Sequence, residues 1–399
     1  MLVSMTDVSE DLRIRVEDLL TANPPATLSP ADFLGARFDA GLAWIHFPVG
    51  HGGLGISQSD QPFVDRRFLA AGALPPTHNG ANGIGLGMAA PTIAAFGTEE
   101  QKRRFLRATF ASEIIWCQLF SEPGAGSDLA AVATKAVREG DEWVVNGQKV
   151  WTSGAHNAQY AILVARTDVD VPKHAGITYF LCDMSDPGID VRPLRQITGE
   201  AEFNEVFLTD VRIPDANRLA DEGMGWKVAN ATLNNERVAI GGQASVREEG
   251  QIGLVARRWR EKPELRTPGL HDTLLKLWVD AEVTRLASKR LSQQLAAGQP
   301  GPEGAGLKLS FAAQAQKITG FGIELEGEAG LRYDDWTMRR PEGVSMTGRE
   351  PGYRYLRAKG NSIEGGTSEI LRNIVAERIL GLPPEHRVDK TMPFKEMAR

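Results

Sequence analysis

Cysteine is nearly missing from this chain: only Cys117 and Cys182 carry a thiol among 399 residues. Two distant cysteines form no CxxC pair and no disulfide framework. With no HExxH pair either, neither a structural zinc site nor another metal ligand set is expected, and a reducing cytoplasm is the expected compartment. Basic blocks and Arg/Lys–aromatic ribbons are absent, and the net charge is −6, which disfavours nucleic acid as a partner. Long hydrophobic runs are lacking as well. The most apolar stretch, Gly83 to Gly97, is short and broken by Pro91, so it cannot span a bilayer. The N-terminus carries Asp7, Glu10 and Asp11 without the apolar core of a secretory signal. What is there is 42% hydrophobic and 24% charged, the balance of a soluble globular protein. The length suffices for two or three domains around a large core.

Three textures follow one another, and together they predict an α+β protein with domains at 1–115, 116–218 and 219–399. The first is mainly helical with glycine-rich connections. The second is β: Trp143-Val144-Val145, Tyr160 to Val164, Ile177 to Cys182 and Val206-Phe207-Leu208 are strand-sized runs punctuated by turns such as Asp186-Pro187-Gly188. This spacing suits a small barrel or sandwich. The third is helical again. Leu274, Leu277, Trp278 and Ala281 mark one face, and Ile370, Leu371, Ile374 and Val375 another, closed by Gly381 and Pro383-Pro384. Gly298 to Gly306 reads as a loop.

Gly50-His51-Gly52-Gly53-Leu54-Gly55 matches GxGxxG, but Pro48 precedes it and no βαβ rhythm follows. A loop between helices is the better reading than a dinucleotide turn. Three other segments carry chemistry. Phe120-Ser121-Glu122-Pro123-Gly124-Ala125-Gly126-Ser127-Asp128 cannot be regular helix or central strand. Its glycines let main-chain N–H groups approach an anion, with a carboxylate before and a hydroxyl after. In Asn146 to Ala155, a hairpin turn at Asn146-Gly147 is expected to deliver a strand bearing Trp151, Thr152 and Ser153. The flat indole and the hydroxyl suit a planar ring whose edge accepts hydrogen bonds, although for that segment taken alone a core Trp beside a polar neighbour is the better reading. In Ile363 to Arg372, Gly365-Gly366 followed by Thr367 and Ser368 opens a helix, a place that favours negative charge.

These three motifs, in this order, resemble the flavin-dependent acyl-CoA dehydrogenase family, as do FPVGHGGLG and NEVFLTDVRIP, over about residues 35 to 385. The resemblance implies an N-terminal helical domain, a middle β-barrel-like domain and a C-terminal four-helix bundle. It also implies FAD between the last two, usually touching a second subunit. Gln118, Phe120 and Ser121 would frame the flavin ring, with Gly126 and Ser127 near the pyrophosphate and the acyl-CoA. Trp151 would cover the isoalloxazine, Ser153 would bond near its hydride-accepting nitrogen, and Thr367 and Glu369 would hold the ribityl-pyrophosphate. The implied reaction turns an acyl-CoA into the 2-enoyl-CoA and passes electrons to an electron-transfer flavoprotein. An oxidase using oxygen is the alternative within enzymes. A homo- or hetero-oligomer, dimer or tetramer, is implied.

Many members place the catalytic carboxylate directly before the Gly-Thr of the third motif. Here Gly365 occupies that position, and Glu364 falls one residue early. One residue turns a side chain by about 100° in a helix and about 180° in an extended chain, so Glu364 is the weaker candidate. Members similar to isovaleryl- and long-chain-type dehydrogenases carry the base on an internal helix before an arginine. Glu236 matches that place in Leu233-Asn234-Asn235-Glu236-Arg237, with Asn234 and Arg237 toward the substrate. Ala229, Leu233, Glu236 and Ile240 form one helical stripe. A buried structural ion pair is the competing reading of Glu236. The amide of Gly365 remains available to polarise the thioester carbonyl. Two family features are missing. Ala256 to Arg260 lacks the Arg-x-x-Phe-Gly that reaches a neighbouring subunit's flavin, and Glu324 to Gly330 replaces a glycine-rich QxxGGxG. A half-site partner subunit of a heteromeric enzyme is therefore the alternative outside single-chain catalysis.

Overall fold

The computed structural model describes residues 8–78, 80–241, 246–296, 301–333, 335–341 and 348–397, with the backbone alone at 81, 236–241, 295–296 and 388. The chain forms two compact units. One comprises the described residues up to Arg192, Phe203–Thr232 and the segment from Asp389; the other comprises Pro193–Glu202 and Leu233–Val388.

Five helices open the first unit: α1 (Glu10–Ala22), α2 (Pro30–Asp39), α3 (Gln61–Ala70), α4 (Ala90–Phe96) and α5 (Glu99–Phe110). Their starts are written in the sequence. The Ser9 hydroxyl accepts from the Leu12 amide, and Thr98 with Gln101 forms a complete capping box. α1 buries Leu12, Val16 and Leu19, spaced four and three, against Phe33, Val64 and Phe68. The glycine run between α2 and α3 is an inter-helix loop. Gly53 fits there because a Cβ would lie 2.0 Å from the Phe47 carbonyl oxygen.

One sheet of eight strands follows: β1 (Trp116–Leu119), β2 (Lys135–Glu139), β3 (Glu142–Ser153), β4 (Tyr160–Arg166), β5 (Ile177–Asp183), β6 (Ile189–Leu194), β7 (Phe203–Pro214) and β8 (Arg218–Leu219). The order is β6-β7-β3-β2-β4-β5-β8, with β1 parallel to β4. Alternate residues such as Leu119, Trp143, Val145, Leu163, Phe180, Val206 and Leu208 converge on one apolar interior. Both cysteines are free and buried in it, and burial pushes the Cys182 thiol up to about 12 and raises that of Cys117 too. Neither is a nucleophile.

The expected turn at Asn146-Gly147 is not a turn. β3 runs through it, and the hairpin closes instead at Gly140-Asp141, where Glu139 pairs Glu142. Asn146 and Gly147 sit at a register shift opposite Asp210, whose φ is +50°. The Asn146 amide donates to Asp210 Oδ1, the Asp210 N–H donates back to Asn146 Oδ1, and a Cβ on Gly147 would lie 2.4 Å from Thr134 Oγ1. The Asn-Gly pair that marks hairpins serves here as a β-bulge.

The segment from Asp389 returns to the first unit. Pro393 bridges Pro172, and Phe394 N–H and Lys395 N–H donate to Val171 and Val169 carbonyls. The Phe394 ring lies 3.7 Å from the guanidinium carbon of buried Arg166. That guanidinium also donates to the carbonyls of Ala130, Val132 and Lys173.

The second unit is a helical bundle built on α9 (Glu303–Glu326). Around it lie α7 (Gln251–Glu261), α8 (Pro268–Ala296), α10 (Pro351–Ala358) and α11 (Ser368–Ile374), while α6 (Gly225–Gly241) runs from one unit into the other. Leu274 and Leu277 are buried as expected, with Trp278 and Ala281 packed on the same cluster. The expected loop at Gly298–Gly306 is shorter than its composition suggests: Glu303 to Gly306 form the first turn of α9, and 297–300 lie outside the described residues. Gly381 ends the last helix at φ +67°, as the sequence indicates. On α8, Leu275, Val279, Val283 and Leu286 make an exposed apolar stripe. Among the described residues no helix is long and apolar enough to cross a membrane, and no group of His, Cys, Asp and Glu is placed to hold a metal ion.

Candidate active site

The first motif leaves β1 as an anchored loop. The Phe120 ring is buried edge-on to Tyr179, and the Ser121 carbonyl accepts from the Val150 amide at 2.9 Å. Glu122 and Ala125 exchange both backbone hydrogen bonds, so Pro123 and Gly124 form a tight turn. The Glu122 side chain points inward. It accepts from the Ala133 amide at 2.7 Å, the Thr134 amide at 2.9 Å and Lys149 Nζ at 2.8 Å. Lys149 is fully buried and also donates to the Phe120 and Val164 carbonyls. The carboxylate before the glycine loop is thus its foundation, and the loop's exposed residues are Pro123, Gly124 and Gly126 to Asp128. Burial alone would raise the Glu122 pKa. The Lys149 charge and the converging donors outweigh it and hold the carboxyl below its usual range. Further along, Lys173 bonds Asp128 at 2.7 Å and also pairs with Asp389.

The second motif lies beside the first through the Val150 and Lys149 bonds just described. Between Lys149 and Thr152 the β3–β7 register shifts, and Trp151 takes φ +61°. The bulge turns the indole outward, 58% exposed, edge-on to Phe203 at 5.8 Å. A core Trp is therefore excluded. Thr152 turns inward, and its buried hydroxyl has no partner among the described residues. Its carbonyl accepts from Asn204 Nδ2. Ser153 and Gln118 are half-buried. A large flat face, half-buried polar side chains and an exposed backbone loop fit a planar, polar-edged group such as a flavin.

The third motif belongs to the second unit. Gly365 and Gly366 have φ of +63° and +95°. Thr367 caps α11 by accepting from the Ile370 amide at 3.2 Å, and exposed Glu369 pairs with Arg372. Glu364 is committed: Arg357 Nη1 and Nη2 reach its two oxygens, each at 3.0 Å. Arg357 also donates from Nε to buried Glu202 at 3.1 Å. A carboxylate gripped by a bidentate guanidinium has an acceptor lone pair on each oxygen engaged and its direction fixed, which opposes service as a base. Of the stripe on α6, Ala229 is buried and Leu233 half-buried, while Asn234 beside it is exposed. The side chains of Glu236 and Arg237 lie outside the described residues, so the helix places only their backbone.

The two segments that lack the family's inter-subunit motifs meet each other. Arg258 in α7 pairs with Glu326 at the end of α9, and Trp259 stacks on His271 at 5.6 Å. Sequence reasoning missed this pair, the Glu122–Lys149 pair and the Arg357 grip. Arg258–Glu326, Glu122–Lys149 and Arg357–Glu202 each join residues too far apart for local patterning to connect, while Arg357 and Glu364 lie seven residues apart across a glycine-containing turn that hides their pairing.

Three family models match: acyl-CoA dehydrogenase N-terminal domain at residues 24–113, middle domain at 117–211 and C-terminal domain at 223–380. The chain is 38% identical over 379 residues to acyl-CoA dehydrogenase FadE34 of Mycobacterium tuberculosis, covering 94% of this chain and 50% of that protein. The chain thus spans about half the length of that relative. It is 38% identical over 354 residues to acyl-CoA dehydrogenase IpdE1 of the same organism, covering 87% of this chain and 86% of that one. Among solved structures, the ChsE4–ChsE5 complex of Mycobacterium tuberculosis matches with a TM-score of 0.70 at 27% identity, covering 96% of this chain and 100% of that chain. A Tcur3481–Tcur3483 steroid ACAD matches with a TM-score of 0.72 at 25% identity, covering 95% and 99%. With all three family domains matched in order, the chain belongs to the acyl-CoA dehydrogenase family of flavin-dependent oxidoreductases.

Proposed function

We propose that this protein oxidises an acyl-CoA thioester to the 2-enoyl-CoA, with Glu236 on α6 as the base. The observation that carries this reading is the engagement of Glu364 by Arg357. With Gly365 at the family's acid position and Glu364 engaged, this pairing supports a base supplied from α6. Bound FAD supplies the acceptor for the β-hydrogen, which leaves as hydride. The chain's own residues do the rest. Gln118, Phe120 and Ser121 frame the ring, Trp151 covers it and Ser153 bonds its edge. Gly126 and Ser127 meet the pyrophosphate and the coenzyme A portion, and Thr367 and Glu369 hold the ribityl-pyrophosphate. The Gly365 N–H donates to the thioester oxygen, stabilising the charge that grows there as Glu236 takes the α-proton. Asn234 and Arg237 contact the substrate, and a soluble electron-transfer flavoprotein receives the electrons.

The acyl group is ring-bearing in this reading, supported by the similarity to a structure titled as a steroid ACAD. Anaerobic titration with straight, branched and steroid acyl-CoA thioesters tests it: bleaching of a yellow protein by at least one of them is expected. A colourless protein that stays inert until a second chain is added would favour the half-site reading. That second reading draws on the exposed α8 stripe, on the Arg258–Glu326 pair standing where inter-subunit motifs are missing, and on the two-protein complexes among the structural relatives.

Trp151→Gly separates fold from function. Relief of left-handed strain offsets the unfolded-state freedom that glycine adds, so thermal stability of the flavin-free protein should stay within about 1 kcal/mol of the parent. Flavin retention on gel filtration should weaken on the order of tenfold or more with loss of the aromatic face. Unchanged retention would remove Trp151 from the cofactor site.

A further inference from the structure

The Gly365–Gly366 loop is gripped on both sides by cations that the functional reading leaves without a task. On the entry side, Arg357 in the last turn of α10 holds Glu364 through its guanidinium fork while its Nε bonds Glu202. On the exit side, Lys308 of α9 is buried and donates to the Asn361 carbonyl at 2.8 Å and the Gly366 carbonyl at 2.7 Å. All of these residues belong to the second unit.

Two successive glycines at positive φ are among the most mobile dipeptides a chain can contain, and their own side chains supply nothing to fix them. Stability alone does not explain the cations around them. A buried ion pair is often no better than well-packed apolar residues of similar volume, because desolvation offsets the attraction. What a forked guanidinium and a pair of carbonyl-directed ammonium bonds add is orientation. Glu202 extends the same logic one step back, since it fixes the Nε edge of Arg357 and therefore the plane of the fork.

We propose that Arg357 and Lys308 are positioning residues for the main-chain amide of Gly365. Arg357 sets the entry of the loop through Glu364, Lys308 sets its exit through the Gly366 carbonyl, and together they aim that N–H at the thioester oxygen. Glu364 is then an anchor for the donor. The inference rests on the role given to Gly365 above.

Hydrogen–deuterium exchange of the flavin-loaded protein without substrate, and anaerobic stopped-flow reduction by whichever thioester bleaches the parent, test it on Arg357→Met, Lys308→Met, Glu364→Met and Arg357→Lys. Exchange at residues 365–367 should quicken about tenfold or more in each Met variant, with protection of the β-sheet unchanged. The reduction rate should fall about a hundredfold, the loss that a misplacement near 1 Å brings, while KM changes much less. Arg357→Lys should recover part of the rate, since it restores charge without the fork. Arg357→Met combined with Glu364→Met should be no worse than either alone. Parent-like exchange and rate in the Met variants overturn the proposal. Should Arg357→Met fail to fold, Glu364→Met decides the matter on the same two readouts. If no thioester bleaches the parent, the proposed function falls, and exchange alone still decides whether the two cations hold the loop.

Discussion

Glu236→Gln is expected to slow anaerobic flavin reduction by an acyl-CoA about 10³–10⁴-fold, the upper part of what a positioned base contributes. The substitution keeps size and hydrogen bonding and removes only the ability to take a proton. An α-proton beside a thioester is weakly acidic, so its removal cannot pass unassisted to solvent at a useful rate. Glu364, the nearest substitute along the third motif, is held by Arg357 and is in no position to take over. The variant should fold, bind flavin and bind the thioester, so that the loss appears in the reduction step and leaves substrate affinity nearly intact. Stopped-flow absorbance with the substrate identified by titration measures it. A parent-like rate would remove Glu236 from the role and return attention to a partner subunit.

Lys149→Met should cost about 3–5 kcal/mol of stability, the range for stripping one partner from a buried ion pair. Lys149 is fully buried, and its removal leaves the Glu122 carboxylate facing an apolar interior with two amide donors only. Two carbonyls, of Phe120 and Val164, lose their donor at the same time. Equilibrium denaturation measures the loss, and a cost below about 1 kcal/mol would show that the pair is incidental. Acid titration supplies a second readout. Glu122 has its pKa depressed in the folded protein, so its contribution is fully present above the ordinary carboxylate pKa of about 4.3 and fades as pH falls through the lower folded value. In Lys149→Met the depression should vanish, and unfolding should begin at a higher pH than in the parent.

Much of the framework was legible in residue order alone. The cap at Thr367, the stripe of Leu274 and Leu277, and Gly381 as a helix stop are local signals read over a few residues, and the structure uses them as written. The exposed indole of Trp151 follows from a motif, yet the reason it faces outward is a register shift against β7 that no local window contains. Asn146-Gly147 shows the limit from the other side. The same dipeptide suits a hairpin or a bulge, and the choice depends on Asp210 and Thr134 meeting it in space. The buried pairs Glu122–Lys149 and Arg357–Glu202 and the half-buried pair Arg258–Glu326 were invisible for one shared reason. A charged residue reads as solvent-facing until its partner is known, and partners here lie on different elements.

The segment beyond Asp389 has a consequence for how the molecule is made. Lys173 shares itself between Asp128 and Asp389, and Phe394 closes over the guanidinium of Arg166. The whole C-terminal bundle intervenes between those partners in the chain. During synthesis, then, the sheet emerges from the ribosome with two buried-type cations still lacking their last neighbours, and it must wait while the bundle is translated. Limited proteolysis of released chains ending at residue 388 and at residue 399 should find the segment around residues 168–173 cleavable in the first and protected in the second.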